Sequence, residues 1–300
     1  MSSLLWLLGL AISASVVGSA SPAHAPPAWT DERLVAHALG GIDGYDYTNA
    51  YEAFTANYAR GFRLFEADLL LTSDGALVAR HEWGAFFNRK LEQNAPDVPD
   101  PAKDDAPLSL RAFKSLPIHG AYRPMDLDDL LALLKKHPDA YLITDTKSTD
   151  PAVVARQFGM IAEKGGEVGK EVLARIIPQL YDLEMYAQVE AIYPFPSYIL
   201  TLYASQLSDD EVVEYVRRHP KIGAVTMPGE RASSAFVERL GQAGARVYAH
   251  TINDAFACER YRQLGVNGVY TDFLDPSSLR EEPPLRAQLD RITTAALGLG

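Results

Sequence analysis

Two histidines, three carboxylates and a lysine stand out in this chain by type and spacing: His37, His81, Glu66, Asp68, Asp145 and Lys147. Glu66 and Asp68 are two positions apart, so on an extended strand both carboxylates share one face. Burying them side by side without a cation would raise one pKa strongly. With Asp145 they form a hard-oxygen set suited to Mg²⁺ or Ca²⁺. Zinc would more naturally recruit the histidines as ligands. Two histidines on separate strands can instead act as general base and general acid across a phosphorus centre. Lys147 is placed to neutralise charge on a phosphate.

Each of these residues also has an ordinary reading. His37 alone fits a hydrogen-bonded core histidine, Glu66 and Asp68 fit ion pairs with Arg63 or Arg80, and Asp145 with Lys147 fits a structural ion pair. What sets the group apart is where its members fall along the chain, which depends on the elements that carry them.

The apolar patterning predicts strands at 34–39, 64–72, 140–146, 175–180, 198–203, 222–227, 247–252 and 266–270, with amphipathic helical stretches between them. A further short strand at 76–81 follows the Ser73-Asp74-Gly75 turn and is read as an extension of the second. Strands alternating with helices imply parallel pairing through right-handed crossovers. Eight such units without a nucleotide-binding glycine fingerprint favour a closed (β/α)8 TIM barrel, a single α/β domain, over an open doubly wound sheet. Residues 83–124 are rich in Pro, Asp and Asn and lack periodicity, which marks a cap-like insertion after the second barrel strand. In such barrels the chemistry lies at the C-terminal strand ends, and the six residues named above fall there.

Other strand-end residues are ambiguous. Gln179, Tyr181, Tyr203, Thr226 and Trp83 fit pocket lining and packing equally, and Trp83 follows His81 closely enough to cover a substrate. His250 reads as structural, and Cys258, the single cysteine, as packing.

The net charge of −11 argues against a nucleic-acid binder and would repel an anionic diester, so it favours a cation-assisted site over one built on arginine. A hydrophobic content of 47% allows a full core. The apolar run from Leu4 to Val17 and the small residues ending at Ala23-His24-Ala25 read as a signal peptide over 1–25, leaving a barrel domain over 26–300. No basic residue precedes the run, so an uncleaved anchor is the alternative. The expected location is secreted or periplasmic, and no other stretch is long enough to span a bilayer.

The stretch from Val35 to Trp83 resembles the glycerophosphodiester phosphodiesterases, within the phosphatidylinositol-phospholipase-C-like barrel superfamily. That family shows an opening histidine, an Asn-containing segment, Glu-x-Asp, a Thr-x-Asp-Gly turn and a second histidine. Here they read His37, Asn49 in Tyr47-Thr48-Asn49-Ala50, Glu66-Ala67-Asp68, Thr72-Ser73-Asp74-Gly75 and His81. Asp145-Thr146-Lys147 is similar to its Glu-x-Lys, and His250-Thr251-Ile252-Asn253 and Gly265 to Asp272 are similar to its last two strands. The resemblance implies His37 and His81 as the acid/base pair, Glu66, Asp68 and Asp145 as metal ligands, and the insertion as a cap that helps select the substrate. Three departures follow the same alignment. Ala38 stands where the family has arginine, Thr48 where it has glutamate, and Asp145 is shorter than the expected glutamate. The loop Gly40-Gly41-Ile42-Asp43-Gly44 could supply backbone N–H donors to the phosphate in place of the arginine.

The expectation is a metal-dependent phosphodiesterase for glycerophosphodiesters or related lipid-headgroup diesters, with Lys147, Asn49, Gly40, Gly41 and Trp83 binding substrate. Attack by a neighbouring substrate hydroxyl, giving a cyclic phosphate as in phospholipase-D-like relatives, is an alternative. So is a non-catalytic secreted protein that binds phosphorylated sugars or headgroups. A metal-dependent sugar isomerase or another barrel hydrolase is a further reading, and it predicts histidines bound to the metal.

Overall fold

The computed structural model describes residues 27–93 and 106–279. The expected leader at 1–25 and part of the insertion lie outside them. Eight parallel strands close on themselves: β1 (Leu34–Ala36), β2 (Leu64–Leu71), β4 (Tyr141–Asp145), β5 (Ile176–Leu180), β6 (Tyr198–Thr201), β7 (Ile222–Pro228), β8 (Arg246–His250) and β9 (Gly268–Thr271). β1 pairs with both β2 and β9, which completes the (β/α)8 barrel.

The short strand β3 (Leu77–Ala79) is not a continuation of β2. It folds back antiparallel on it, with Leu71 opposite Leu77. The turn at Thr72–Gly75 is far too short for a parallel crossover, which needs about a dozen residues. The hairpin stands above the barrel and carries His81 back over the strand ends.

Side-chain alternation explains both the core and the site. Val35, Leu64, Ile143, Ile177, Ile199, Ala224, Tyr248 and Tyr270, one from each barrel strand, pack together in the barrel interior with Trp29. Two positions further along, the same inward face carries His37, Glu66, Asp145, Gln179, Thr201, Thr226, His250 and Asp272. Every strand thus changes from an apolar to a polar inward residue at its C-terminal end. The alternate positions, among them Phe65, Leu142, Leu200 and Val247, face the helices and form the second, larger core. Each large apolar side chain buried there contributes about 1.5–3 kcal/mol.

The helices are α1 (Tyr51–Arg60), α2 (Ala85–Lys90), α3 (Leu110–Ser115), α4 (Leu127–Lys136), α5 (Pro151–Val168), α6 (Lys170–Leu173), α7 (Leu183–Ile192), α8 (Asp209–Arg218), α9 (Ser234–Gln242) and α10 (Ala255–Gln263). Asp126 and Asp129 form a reciprocal capping box at the start of α4. Lys114 of α3 pairs with both carboxylates, which ties the insertion to the barrel wall. The insertion is therefore not structureless: α2 and α3 are short helices, too brief for a periodic signal. Cys258 is buried, in keeping with packing. No described helix is long and apolar enough to cross a membrane.

Candidate active site

β1 ends one turn earlier than its apolar run suggests. His37 to Leu39 form a 3-10 turn, with Ala38 at φ 48° and Leu39 at φ 68°. This turn lifts the His37 imidazole to the barrel mouth and points the Ala38 N–H inward, where it donates to Glu66 Oε2 at 2.8 Å. The mouth opens into a cavity of about 660 Å³ lined by His37, Glu66, His81, Asp145, Lys147 and Trp83, among others. Six residues drawn from different strand ends and loops thus meet in one place.

Glu66, Asp68 and Asp145 each offer a carboxylate oxygen within 4.8 Å of the others. All three are buried. Neither Arg63 nor Arg80 neutralises them: Arg63 pairs with Asp139, and Arg80 donates to Glu82 O, Gln93 Oε1 and Asn88 Oδ1. Lys147 does approach the set, with Nζ 2.7 Å from Asp68 Oδ1 and 2.5 Å from Asp145 Oδ2. The Asp145–Lys147 ion pair is therefore real, but it belongs to the site rather than to the scaffold. Tyr181 donates to the other Asp145 oxygen.

Burial and the neighbouring Asp68 push the Glu66 carboxyl up to about 8. Asp68 behaves oppositely: burial opposes its ionisation, but the Lys147 ammonium together with the His81 and His37 charges outweighs it and brings the carboxyl down to about 2. Glu66 Oε1 is buried with no hydrogen-bond partner among the described residues. An unpaired buried carboxylate oxygen carries a large desolvation cost, which a cation relieves. Three carboxylates and one ammonium leave two negative charges, matching a divalent ion. An all-oxygen set suits Mg²⁺ or Ca²⁺, so the donors present fit such an ion.

The two histidines differ in surroundings. His37 Nδ1 lies 2.8 Å from Asp272 Oδ1. Burial alone would lower its pKa, but the Asp272 hydrogen bond and the charges of Glu66, Asp272 and Asp68 raise it to about 9. Asp272 is itself held by Asn253, whose amide nitrogen donates to Oδ2 at 2.7 Å. His81 stacks on Phe87 at 4.6 Å, and burial pushes its pKa down. The Tyr47 ring is near-perpendicular to both imidazoles and adjoins each, 4.7 Å from His37 and 4.9 Å from His81.

Three residues expected to bind substrate have other partners. The Gly40 N–H donates to His37 O and the Gly41 N–H to Asp272 O, each at 2.7 Å, so both donors are consumed in shaping the loop. Asn49 is fully buried, donates to Asp68 Oδ2 at 2.8 Å, and accepts from Asp68 N at 3.1 Å. It grips a carboxylate instead of facing the cavity. Trp83 does line the cavity, with Nε1 bonded to Leu71 O and the Arg80 guanidinium 4.9 Å from its ring.

Of the ambiguous residues, Gln179, Tyr181 and Tyr203 line the cavity, as does His250. Burial first, then the nearby His37 charge, hold its pKa down at about 4, so it is a neutral lining group. Asp272, Tyr47 and Phe87 were not singled out from sequence. Asp272 could have been, because it occupies the same inward strand-end position as the residues that were. Tyr47 and Phe87 lie in loop and insertion, where no periodicity points inward.

The sequence pattern of the Glycerophosphoryl diester phosphodiesterase family matches residues 41–276. No curated protein sequence matches the chain. Its fold is similar to that of an Oleispira antarctica phosphodiesterase solved with the product sn-glycerol-3-phosphate, at 16% identity and TM-score 0.65, covering 83% of this chain and 96% of that one. It is also similar to a glycerophosphodiester phosphodiesterase from Parabacteroides distasonis, at 16% identity and TM-score 0.64, covering 87% and 98%. A third, from Thermotoga maritima, shows 19% identity and TM-score 0.58, covering 80% and 93%.

Proposed function

Because the chain belongs to the glycerophosphoryl diester phosphodiesterase family and is a phosphoric diester hydrolase of that kind, we propose that it cleaves glycerophosphodiesters to glycerol phosphate and an alcohol, using His37 and His81 as its proton-transfer pair. The observation that carries this reading is the contrast between the two imidazoles across one cavity. His37 is paired with a carboxylate that favours its charged form, while His81 is packed against Phe87 and Tyr47 and favours its neutral form.

Neutral His81 takes a proton from the attacking water, whose oxygen forms the new bond to phosphorus. The bond from phosphorus to the leaving alcohol breaks as charged His37 gives that oxygen its proton. Asp272 keeps the imidazole oriented throughout, as a carboxylate does in a catalytic triad. Its hydrogen bond to His37 does not depend on a cation, so the assignment of His37 as acid stands on it. Glu66, Asp68 and Asp145 would hold a divalent cation, which supplies positive charge to phosphoryl oxygens as negative charge develops there. Asn49 and Lys147 fix the carboxylates that would do so.

Glycerol phosphate as product is supported by the Oleispira structure, which carries it. The described part of the insertion would serve as a cap, with Trp83 at the cavity wall and Phe87 behind His81. The apolar leader supports a secreted or periplasmic enzyme. The test is release of glycerol phosphate from a panel of glycerophosphodiesters with Mg²⁺ or Ca²⁺. Activity is expected from wild type and abolished by chelator, His37→Ala or His81→Ala. A cyclic phosphate as first product would replace water by a substrate hydroxyl as nucleophile. A wild-type protein that binds every diester and cleaves none would instead be a binding protein.

A further inference from the structure

The segment that runs from His37 to Asn49 holds an unusual backbone. Ala38, Leu39, Asp43, Tyr47 and Asn49 all have positive φ, a region that residues with a Cβ rarely enter. Residues persist there only when their surroundings over-determine them, and such positions cluster at functional sites. Tyr47, at φ 57°, is the large aromatic among those nearest the histidines.

Its ring is fully engaged. It stands at 83° to His37 and 88° to His81, lies 5.8 Å from Phe87, and has Lys90 Nζ 5.1 Å from its centroid. Lys90 is in turn fixed by Asp46 at 2.6 Å. The hydroxyl, by contrast, makes no hydrogen bond among the described residues, although the residue lines the cavity. Several neighbouring donors are committed. Lys147 serves Asp68 and Asp145, Tyr181 serves Asp145, and the Gly40 and Gly41 N–H groups serve backbone carbonyls.

We infer that the Tyr47 hydroxyl is a catalytic hydrogen-bond donor to a non-bridging phosphoryl oxygen of the bound diester, held beside the acid and the base by a ring that contacts both. This rests on the reading of His37 and His81 given above. Charge accumulates on the non-bridging oxygens as water adds to phosphorus, so a fixed donor there is worth more in the transition state than in the ground state. No proton leaves the tyrosine. Burial and the Asp272 and Asp68 charges push the phenol up to about 12, which keeps it a donor at working pH.

Tyr47→Phe removes the oxygen and keeps the ring. With Mg²⁺ saturating, it is expected to lose about 100-fold in kcat/KM, carried mainly by kcat, the size usual for one lost oxyanion donor. Both limbs of the pH profile should stay in place, because the ring still packs against both histidines. Affinity for glycerol 3-phosphate, read by calorimetry, should fall in the same variant. Activity within about threefold of wild type would overturn the donor role, even if Tyr47→Leu were crippled, since that pattern assigns the residue to spacing alone. Should wild type prove inert to every diester, the hydrolytic reading fails by itself, and the calorimetric comparison still decides. Weaker product binding by Tyr47→Phe upholds the contact, and equal or absent binding overturns it.

Discussion

His37 Nδ1 lies 2.8 Å from Asp272 Oδ1, between residues 235 positions apart in the sequence. The first and last barrel strands are neighbours in the closed sheet, and each contributes one member of this pair from the position just beyond its end. Asn253 holds the far oxygen of Asp272, so the carboxylate cannot swing away from the ring.

Removing the Asp272 charge tests that pair directly. Asp272→Asn keeps the size and loses the charge that favours imidazolium. Asp272 raises the His37 pKa, so its removal lowers it, and the alkaline limb of the pH–rate profile should move down toward neutrality. A loss of about 10²- to 10⁴-fold in kcat/KM is expected, by analogy with a triad carboxylate. An alkaline limb that stays in place would show that His37 is not the acid.

Cation binding should depend on pH through Glu66. Its carboxyl is raised to about 8, so a cation binding below that value must displace a proton. Without a cation, the raised value means that Glu66 favours the fold most at low pH and progressively less as pH climbs from 4.5 to about 8. Added Mg²⁺ or Ca²⁺ should therefore raise Tm more at alkaline than at mildly acid pH, and calorimetry in two buffers should register proton release. Equal stabilisation at both pH values would place the cation away from Glu66.

Asn49→Ala should weaken the cation site while sparing the histidines. Its amide makes both an N–H donor contact and an acceptor contact with Asp68. Losing such an orienting partner typically costs 10- to 100-fold in metal affinity, roughly the effect expected in a cation titration of activity. At saturating cation, KM for the diester should change little. A large KM increase there would return Asn49 to substrate binding.

Arg80 is a stability prediction. It is 1% exposed and, among the described residues, donates to uncharged acceptors, two on the insertion side chains Asn88 and Gln93 and one on the Glu82 carbonyl. Burial brings its pKa down to about 10. Arg80→Met should leave these acceptors unpaired and lower unfolding free energy by about 2–4 kcal/mol in urea melts. A change near zero would mean that the insertion repacks around the smaller head.

The sequence by itself determined the barrel and most of its mouth. Alternating strands and helices dictate parallel pairing, and a period of two makes Glu66 and Asp68 share a face with Leu64 and Asp145 with Ile143. These are local rules, so they can be read one strand at a time. The hairpin β3 escaped because an apolar run looks the same whether it continues a strand or doubles back. Gly40 and Gly41 looked like free phosphate donors because sequence shows which N–H groups exist, not which carbonyls they meet. Closure of the barrel alone decided that Asp272 reaches His37, that Lys147 turns toward Asp68, and that Tyr47 contacts both histidines. Each of those contacts joins groups on different elements, and their distances are set by strand tilt and loop path, which no local pattern encodes.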